Sequence, residues 1–302
     1  MRIVVALGGN ALLRRGEPMT IDNQRHNVRR AAAALAELAG HHQLVVTHGN
    51  GPQVGLLALQ AQAYAEVAPY PLDVLDAATE GIIGYLIEAE LLNEMPPGAS
   101  CASLLTRVEV DADDPAFLTP SKAIGPGYDR DTMQRLKAEK RWAFVEEATG
   151  HWRRVVASPL PRRILPIDII RRLMEAGVVV ICAGGGGIPT VRGVGGRLEG
   201  VEAVIDKDHA AGLLAARLDA DALLLLTDVA AVYDGWGGPA PRPLGPVTPG
   251  ELASRTFDPA SMGPKVAAAC EFVLSRGGVA GIGALEDACR VLAGQAGTLI
   301  RA

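Results

Sequence analysis

The chain has 302 residues, of which 49% are hydrophobic, 21% charged and only 4% aromatic, with a net charge of −5. That length suits one large α/β unit or two lobes, with a core of small aliphatic side chains of the kind that buried parallel strands use. The acidic balance without a basic stripe argues against nucleic acid and membrane surfaces as partners. The scattered Cys101, Cys182, Cys270 and Cys289 form no CxxC pair and argue against a zinc or redox site, and with no signal peptide or spanning segment the chain is expected to be cytoplasmic.

Residues 3–7 are a short apolar run stopped by glycines, which predicts a buried central strand. The Gly8-Gly9-Asn10-Ala11 turn that follows can bring backbone N–H groups up to an anion, although a plain tight turn explains it equally well by itself. Residues 23–38 predict a helix and residues 44–47 a second strand. His48-Gly49-Asn50-Gly51-Pro52-Gln53 then leads into a helix over 54–64. Such a helix start offers free N–H donors and the positive end of a dipole to a carboxylate or phosphate. His48 reads as a turn residue rather than a general base. Residues 79–95 predict another helix, with Ile82, Ile83, Leu86, Ile87 and Leu91 at helical spacing, and residues 100–110 one strand.

From 111 to 161 the texture changes: Asp, Pro, Arg and Lys replace the aliphatic runs. A charged helix over about 130–141 and a hairpin turning at Thr149-Gly150 describe a protruding subdomain or lid. Residues 167–176 predict a helix and 178–183 a strand, followed by Gly184-Gly185-Gly186-Gly187. Four glycines forgo side-chain packing, which suits close backbone approach to a ligand, but neither the dinucleotide fingerprint nor a P-loop is present. A glycine-rich hairpin over 190–200 leads to Asp206-Lys207-Asp208 and a helix over 209–218. The apolar strand 223–226 ends in Thr227-Asp228, a pair that either meets a nucleotide or caps a turn. Residues 233–246 read as a loop, Ser261-Met262-Gly263-Pro264-Lys265 starts a helix over 266–276, and a strand (279–282), a helix (286–292) and a closing strand (297–300) finish the chain. The alternation predicts an α/β sandwich wound on both faces of a mainly parallel sheet.

Lysine is scarce: 24 of the 29 basic residues are Arg, and the five lysines are Lys122, Lys137, Lys140, Lys207 and Lys265. Lys137 and Lys140 belong to a charged helical run, whereas the other three sit at turn-rich junctions. A compact, mobile ammonium suits a phosphate in motion. On composition alone that reading and a chance scatter of surface lysines stand level. Lys265, in the first turn of a helix, opposes the dipole there and argues for an anionic partner.

The motifs GGNAL (8–12), THGNGPQVG (47–55), SKAIGPGY (121–128), GGGGIP (184–189), AVIDKD (203–208), LTDV (226–229) and SMGPKV (261–266) together resemble the carbamate kinases, a branch of the amino acid kinase superfamily. Each is weak alone; their order spans essentially the whole chain. The resemblance implies an open three-layer αβα sandwich forming one domain over 1–302. A carbamate-binding lobe would take about 1–218, including a protruding subdomain over about 111–161, and a nucleotide-binding lobe about 219–302. It implies a homodimer, Mg²⁺ held mainly through phosphates, and reversible transfer between ATP plus carbamate and ADP plus carbamoyl phosphate, usually making ATP in arginine or agmatine breakdown. By resemblance, Lys122, Lys207, Asp208 and Lys265 are the catalytic group, and Gly8, Gly9, Asn10, Asn50, Gly51, Gly185 and Gly186 bind the small substrate. Thr227, Asp228, Tyr233 and Met262, with Lys207 and Lys265, would bind nucleotide. Ala260 stands where the family usually has glycine and Ala230-Ala231 where a polar residue is common, which touches the adenine side only.

The chemistry fits these residues. A carbamate oxygen is already anionic, so attack on a phosphoryl group requires no general base, and catalysis reduces to positioning and charge neutralisation. The rivals are another kinase of the superfamily and a nucleotide-binding sensor without turnover. The excursion bearing Lys122 and the HGNGPQ segment favour carbamate over the first, and three lysines directed at one place disfavour the second.

Overall fold

The computed structural model describes every residue except Arg15, Ala65, Ala148, Thr149, Pro239 and Ala260, and the side chains of Asn10 and Ala11. In chain order the elements are β1 (Arg2–Leu7), α1 (Gly9–Leu12), α2 (Ile21–Ala39), β2 (Gln43–His48), α3 (Gly51–Ala63), α4 (Leu72–Glu94), β3 (Cys101–Leu104), β4 (Arg107–Val110), β5 (Lys122–Tyr128), α5 (Arg130–Lys140), β6 (Ala143–Glu146), β7 (Trp152–Val156) and β8 (Pro161–Ile164). There follow α6 (Ile167–Glu175), β9 (Val179–Cys182), β10 (Ile188–Arg192), β11 (Leu198–Gly200), α7 (Lys207–Arg217), β12 (Ala222–Thr227), β13 (Tyr233–Asp234), β14 (Arg242–Pro243), α8 (Pro249–Ala253), α9 (Met262–Arg276), β15 (Val279–Ala284), α10 (Ala288–Leu292) and β16 (Thr298–Ile300).

Seven strands form the central sheet in the order β16-β15-β12-β1-β2-β9-β3, all parallel except β16. β1 is buried along its length, and its side chains alternate between two cores. Val4 and Ala6 pack with Leu223, Leu225, Leu214 and Phe272 beneath α6, α7 and α9, whereas Ile3, Val5 and Leu7 pack with Leu35, Ile87 and Leu224 beneath α2, α4 and α10. Helices therefore cover both faces, and the motif loops after β1, β2, β9 and β12 emerge at one carboxyl edge, where open α/β sheets bind ligands.

Three further sheets surround this frame: β11-β10-β4-β8, the β13-β14 ribbon and β5-β7-β6. The last, with α5, is the predicted excursion, and its hairpin joins β6 to β7 in antiparallel register. Thr149 of the predicted turn lies outside the described residues, and Gly150 takes a positive φ of 75°. A small third core of Val54, Ala58, Leu72, Ile124, Val156 and Val204 seats this subdomain against α3. There the backbones meet at Gly55 and Gly125: a Cβ on Gly55 would fall 2.0 Å from the Gly125 Cα.

Several expectations are corrected. Residues 100–110 are two strands in two sheets rather than one. Thr106 breaks the run: its side chain is buried, its N–H donates to Glu80 Oε2 at 2.8 Å and its hydroxyl to the Leu104 carbonyl at 2.8 Å, while Leu105 turns out to solvent. The helix expected from 79 begins at Leu72, because its first turns carry Asp73 and Asp76 and hide the apolar period. The predicted loop over 233–246 contains the β13-β14 ribbon. The helix expected over 286–292 is a 3₁₀ turn, Leu285–Asp287, running into α10.

Candidate active site

The N-terminus of α7 organises the site. Asp206 is its N-cap, with Oδ1 accepting the backbone N–H of Asp208 at 2.9 Å and of His209 at 3.4 Å. The other oxygen, Oδ2, is ion-paired to Lys122, which β5 brings in from the protruding subdomain. Two residues on, the buried Asp208 divides its oxygens between lysines: Oδ1 takes Lys207 Nζ at 2.7 Å and Oδ2 takes Lys265 Nζ at 3.1 Å. Lys265 also donates to the Ser261 carbonyl at 3.4 Å, so its position in the first turn of α9 has an anionic partner inside the protein. Three ammonium groups face two carboxylates, leaving a local charge of 3 − 2 = +1.

These charges hold one another. Burial works to raise the Asp206 carboxyl, but Lys122 and Lys207 outweigh it and keep the group well below the usual carboxylate range. Asp208 is likewise held down by Lys207 and Lys265 against the upward push of its burial. Lys207 is raised, because Asp208 and Asp206 overcome desolvation. Lys265 is lowered by burial and by the neighbouring Lys207 charge.

The aliphatic stem of Lys207 runs beside the two glycine loops. A Cβ on Gly49 would come within 3.3 Å of Lys207 Cδ and 3.2 Å of the Gly9 nitrogen. Beside Gly9 a cleft opens at the carboxyl edge of the sheet. Its walls carry Gly8, Gly9 and Gly51 on one side and Thr227, Asp228, Tyr233, Met262 and Lys265 on the other, so most of the predicted residues meet. The Thr227 hydroxyl donates to Asp228 Oδ1 at 3.1 Å. Among the described residues no group of three or more His, Cys, Asp or Glu is gathered around one point.

Some predicted residues do not reach the cleft. Asn50 is buried, and its amide nitrogen donates to Asp76 Oδ1 and Thr79 Oγ1, both at 2.9 Å, on α4. Gly185 and Gly186 are buried too, and lie beneath Asn50 and Ile205. Gly185 has φ 68°, and a Cβ there would stand 2.2 Å from Asn50 Nδ2, so it packs against this side chain. The Asn10 side chain and Ala260 lie outside the described residues. His48 is buried with Nδ1 3.1 Å from the Gly49 carbonyl, and burial lowers its pKa to about 4, which fits a packed turn residue.

Sequence reasoning missed four contributors. Arg153 lines the cleft and donates Nη2 to the Gly125 carbonyl at 2.9 Å; it was hidden among the many arginines of the surface. Trp236 lines the cleft with its ring 5.2 Å from that of Tyr233. Asp76 and Glu80 are buried carboxyls one turn apart on α4, a pattern visible as two acids on the inward stripe of an apolar helix.

Residues 1–280 match the model of the amino acid kinase family. The carbamate kinase of Rhizobium meliloti is 53% identical over 302 residues, covering 99% of this chain and 93% of its own length. That of Haemophilus influenzae is 52% identical over 300 residues, covering 99% and 96%. The structure of carbamate kinase from Giardia lamblia bound to AMP-PNP superposes with a TM-score of 0.90 at 38% identity, covering 99% of this chain and 98% of the other.

Proposed function

The chain belongs to the amino acid kinase family, and from that membership we propose that it works as a carbamate kinase, moving a phosphoryl group between carbamoyl phosphate and ADP to give carbamate and ATP, and back. The observation that carries the reading is Asp208 holding Lys207 and Lys265 with separate oxygens beside the two glycine loops.

In this reading the β- and γ-phosphates lie against Lys207 and Lys265, with the base toward Tyr233 and Met262. The N-terminus of α3 presents free backbone N–H groups at Gly51, which favours the anionic substrate at the opposite wall. Both the carbamate oxygen and the terminal ADP oxygen are anionic, so neither direction needs a base, and His48, buried and neutral, takes no part. As the phosphoryl group leaves one oxygen for the other, its negative charge spreads over equatorial oxygens, and the local +1 of the lysine cluster neutralises it. Lys122 reaches the carbamoyl phosphate from the subdomain.

Mg²⁺ fits this cleft as a passenger on the nucleotide phosphates, where it would neutralise further charge. Both Asp208 oxygens are spent on lysines, so the protein offers ammonium groups rather than a carboxylate cage. The residues to about 218 would form the carbamate lobe and those from about 219 the nucleotide lobe, with β1 between them in the shared sheet. A homodimer is supported by the outer face of α4, where Val74, Ile82, Tyr85 and Leu92 are exposed together. Among the described residues no helix is long and apolar enough to cross a membrane, and we place the enzyme in the cytoplasm, making ATP in arginine or agmatine breakdown.

The direct test is ATP formation from ADP and carbamoyl phosphate, with acetyl phosphate as control. ATP from carbamoyl phosphate but not from acetyl phosphate is the expected result. No ATP above the uncatalysed rate would overturn the reading and favour a sensor.

A further inference from the structure

Two buried carboxyls on α4 have no part in the chemistry above, yet each is tied by hydrogen bonds toward a loop after a central strand, Asp76 through Asn50 and Glu80 through Thr106. Asp76 accepts the Asn50 amide on Oδ1 at 2.9 Å. Thr79, one turn further on, accepts from the same Asn50 nitrogen at 2.9 Å and donates its hydroxyl to the Asp76 carbonyl at 2.8 Å. Asn50 Nδ2 thus has both hydrogens engaged on α4. Glu80 accepts the Thr106 N–H on Oε2 at 2.8 Å, and the Thr106 hydroxyl in turn accepts the Ala183 N–H at 3.0 Å, at the head of the tetraglycine loop. Asp76 Oδ2 and Glu80 Oε1 are buried with no hydrogen-bond partner. Buried groups left half-satisfied cost stability, so a role other than stability is the economical explanation for two of them on adjacent turns.

The geometry states that role. Asn50 is the N-cap residue of α3, yet its side chain makes no capping bond there; it reaches to α4 instead. Gly185 closes over the same amide with no room for a Cβ. The turn after β2 and the glycine loop after β9 are therefore clasped together around Asn50, and α4 holds both. We propose that Asp76 and Glu80 are positioning residues for the small-substrate side of the site, Asp76 acting through Asn50 on the Gly49–Gly51 turn and Glu80 through Thr106 on Ala183 and the tetraglycine loop it leads into. The inference rests on the carbamate kinase reading. Neither residue touches substrate.

An acceptor oxygen at position 76 is what the clasp requires, and a negative charge is not. Burial pushes both carboxyls well above their ordinary range, favouring the neutral form. Asp76→Asn keeps an acceptor for the Asn50 amide, and Asp76→Ala removes it. The same logic separates Glu80→Gln from Glu80→Ala.

The experiment measures kcat/KM for carbamoyl phosphate and, separately, ADP affinity by calorimetry. Asp76→Ala should lose roughly 10²-fold in kcat/KM for carbamoyl phosphate, the scale of a misplacement of about an ångström. Its ADP affinity should be unchanged, and Asp76→Asn should restore turnover. A crystal structure of Asp76→Ala should show the Asn50 amide rotated out of place. The proposal is overturned if Asp76→Ala keeps wild-type kcat/KM while only melting earlier, if Asp76→Asn is as damaged as Asp76→Ala, or if Asn50 does not move. Should Asp76→Ala fail to fold, Thr79→Ala removes the second acceptor alone, and unchanged carbamoyl phosphate kinetics in it overturns the proposal equally. A wild-type protein that binds ADP but never uses carbamoyl phosphate would instead bring down the functional reading, and the Asn50 displacement would still decide the clasp.

Discussion

Lys122 and Asp206, 84 positions apart in the chain, form an ion pair that ties the protruding subdomain to the cap of α7. Asp206 therefore serves twice, fixing the first turn of the helix that carries Lys207 and pairing with Lys122 of the subdomain. The docking of the subdomain and the position of Lys207 share one carboxylate.

Asp206→Ala should both loosen the subdomain and fray the start of α7. The lost cap is worth about 1 kcal/mol, and the freed subdomain should be cut faster than wild type in limited proteolysis. Lys122→Ala keeps the cap but breaks the same tie, so it should melt less early than Asp206→Ala yet be cut as fast in the subdomain, while carbamoyl phosphate use weakens and ADP affinity does not. An effect on ADP alone would show that Lys122 is not delivered to the small substrate.

Lys207→Ala and Lys265→Ala should each lower the rate of phosphoryl transfer by roughly 10²–10³. Either change leaves two lysines against the two carboxylates Asp206 and Asp208, so the variants should stay folded by circular dichroism. Full activity in either would remove it from the proposed mechanism.

Gly55→Ala tests the seat of the subdomain on α3. Its new Cβ would fall 2.0 Å from the Gly125 Cα, and backbone meets backbone there, so α3 and β5 must separate. The expected result is a raised KM for carbamoyl phosphate and a faster proteolytic cut in the subdomain, with ADP binding intact. An unchanged KM would mean that the subdomain docks without this contact.

Stability should respond to pH through two opposed sets of carboxyls. Asp206 and Asp208 have folded values depressed below their ordinary 3.8, so the stability they add is complete above that pH and is lost as acid carries the pH down through the folded values. Asp76 is raised from the same 3.8, so burying it uncharged costs progressively more stability as pH rises from 3.8 toward its folded value. Asp76→Asn removes that cost, and its gain in melting temperature over wild type should be larger at pH 8 than at pH 5. An equal shift at both would mean that Asp76 is ionised in the folded protein.

Much of this was legible in the chain itself. Runs such as residues 3–7 and 223–226 are too short and too apolar for anything but buried strands, and the motif after each, Gly8-Gly9-Asn10 and Thr227-Asp228, falls at one sheet edge. Scarcity and their turn-rich junctions set Lys122, Lys207 and Lys265 apart, but composition alone leaves a chance scatter equally open. The order of the seven motifs carried the family.

The folded structure alone decided which partner each charge takes. Nothing in Asp206-Lys207-Asp208 tells that Asp208 bridges Lys207 to Lys265 while Asp206 turns to Lys122, since those pairings depend on how α7, α9 and β5 converge. The split of residues 100–110 at Thr106 was likewise hidden, because its cause is a carboxylate 26 positions earlier. Asn50 shows the same limit: a turn asparagine beside glycines reads as a ligand contact, and only the packing of α4 behind it shows that its amide is already bound. Local sequence sets which conformations a segment favours, whereas hydrogen-bond partners between distant segments are set by the packing that brings them within 3 Å or so of one another.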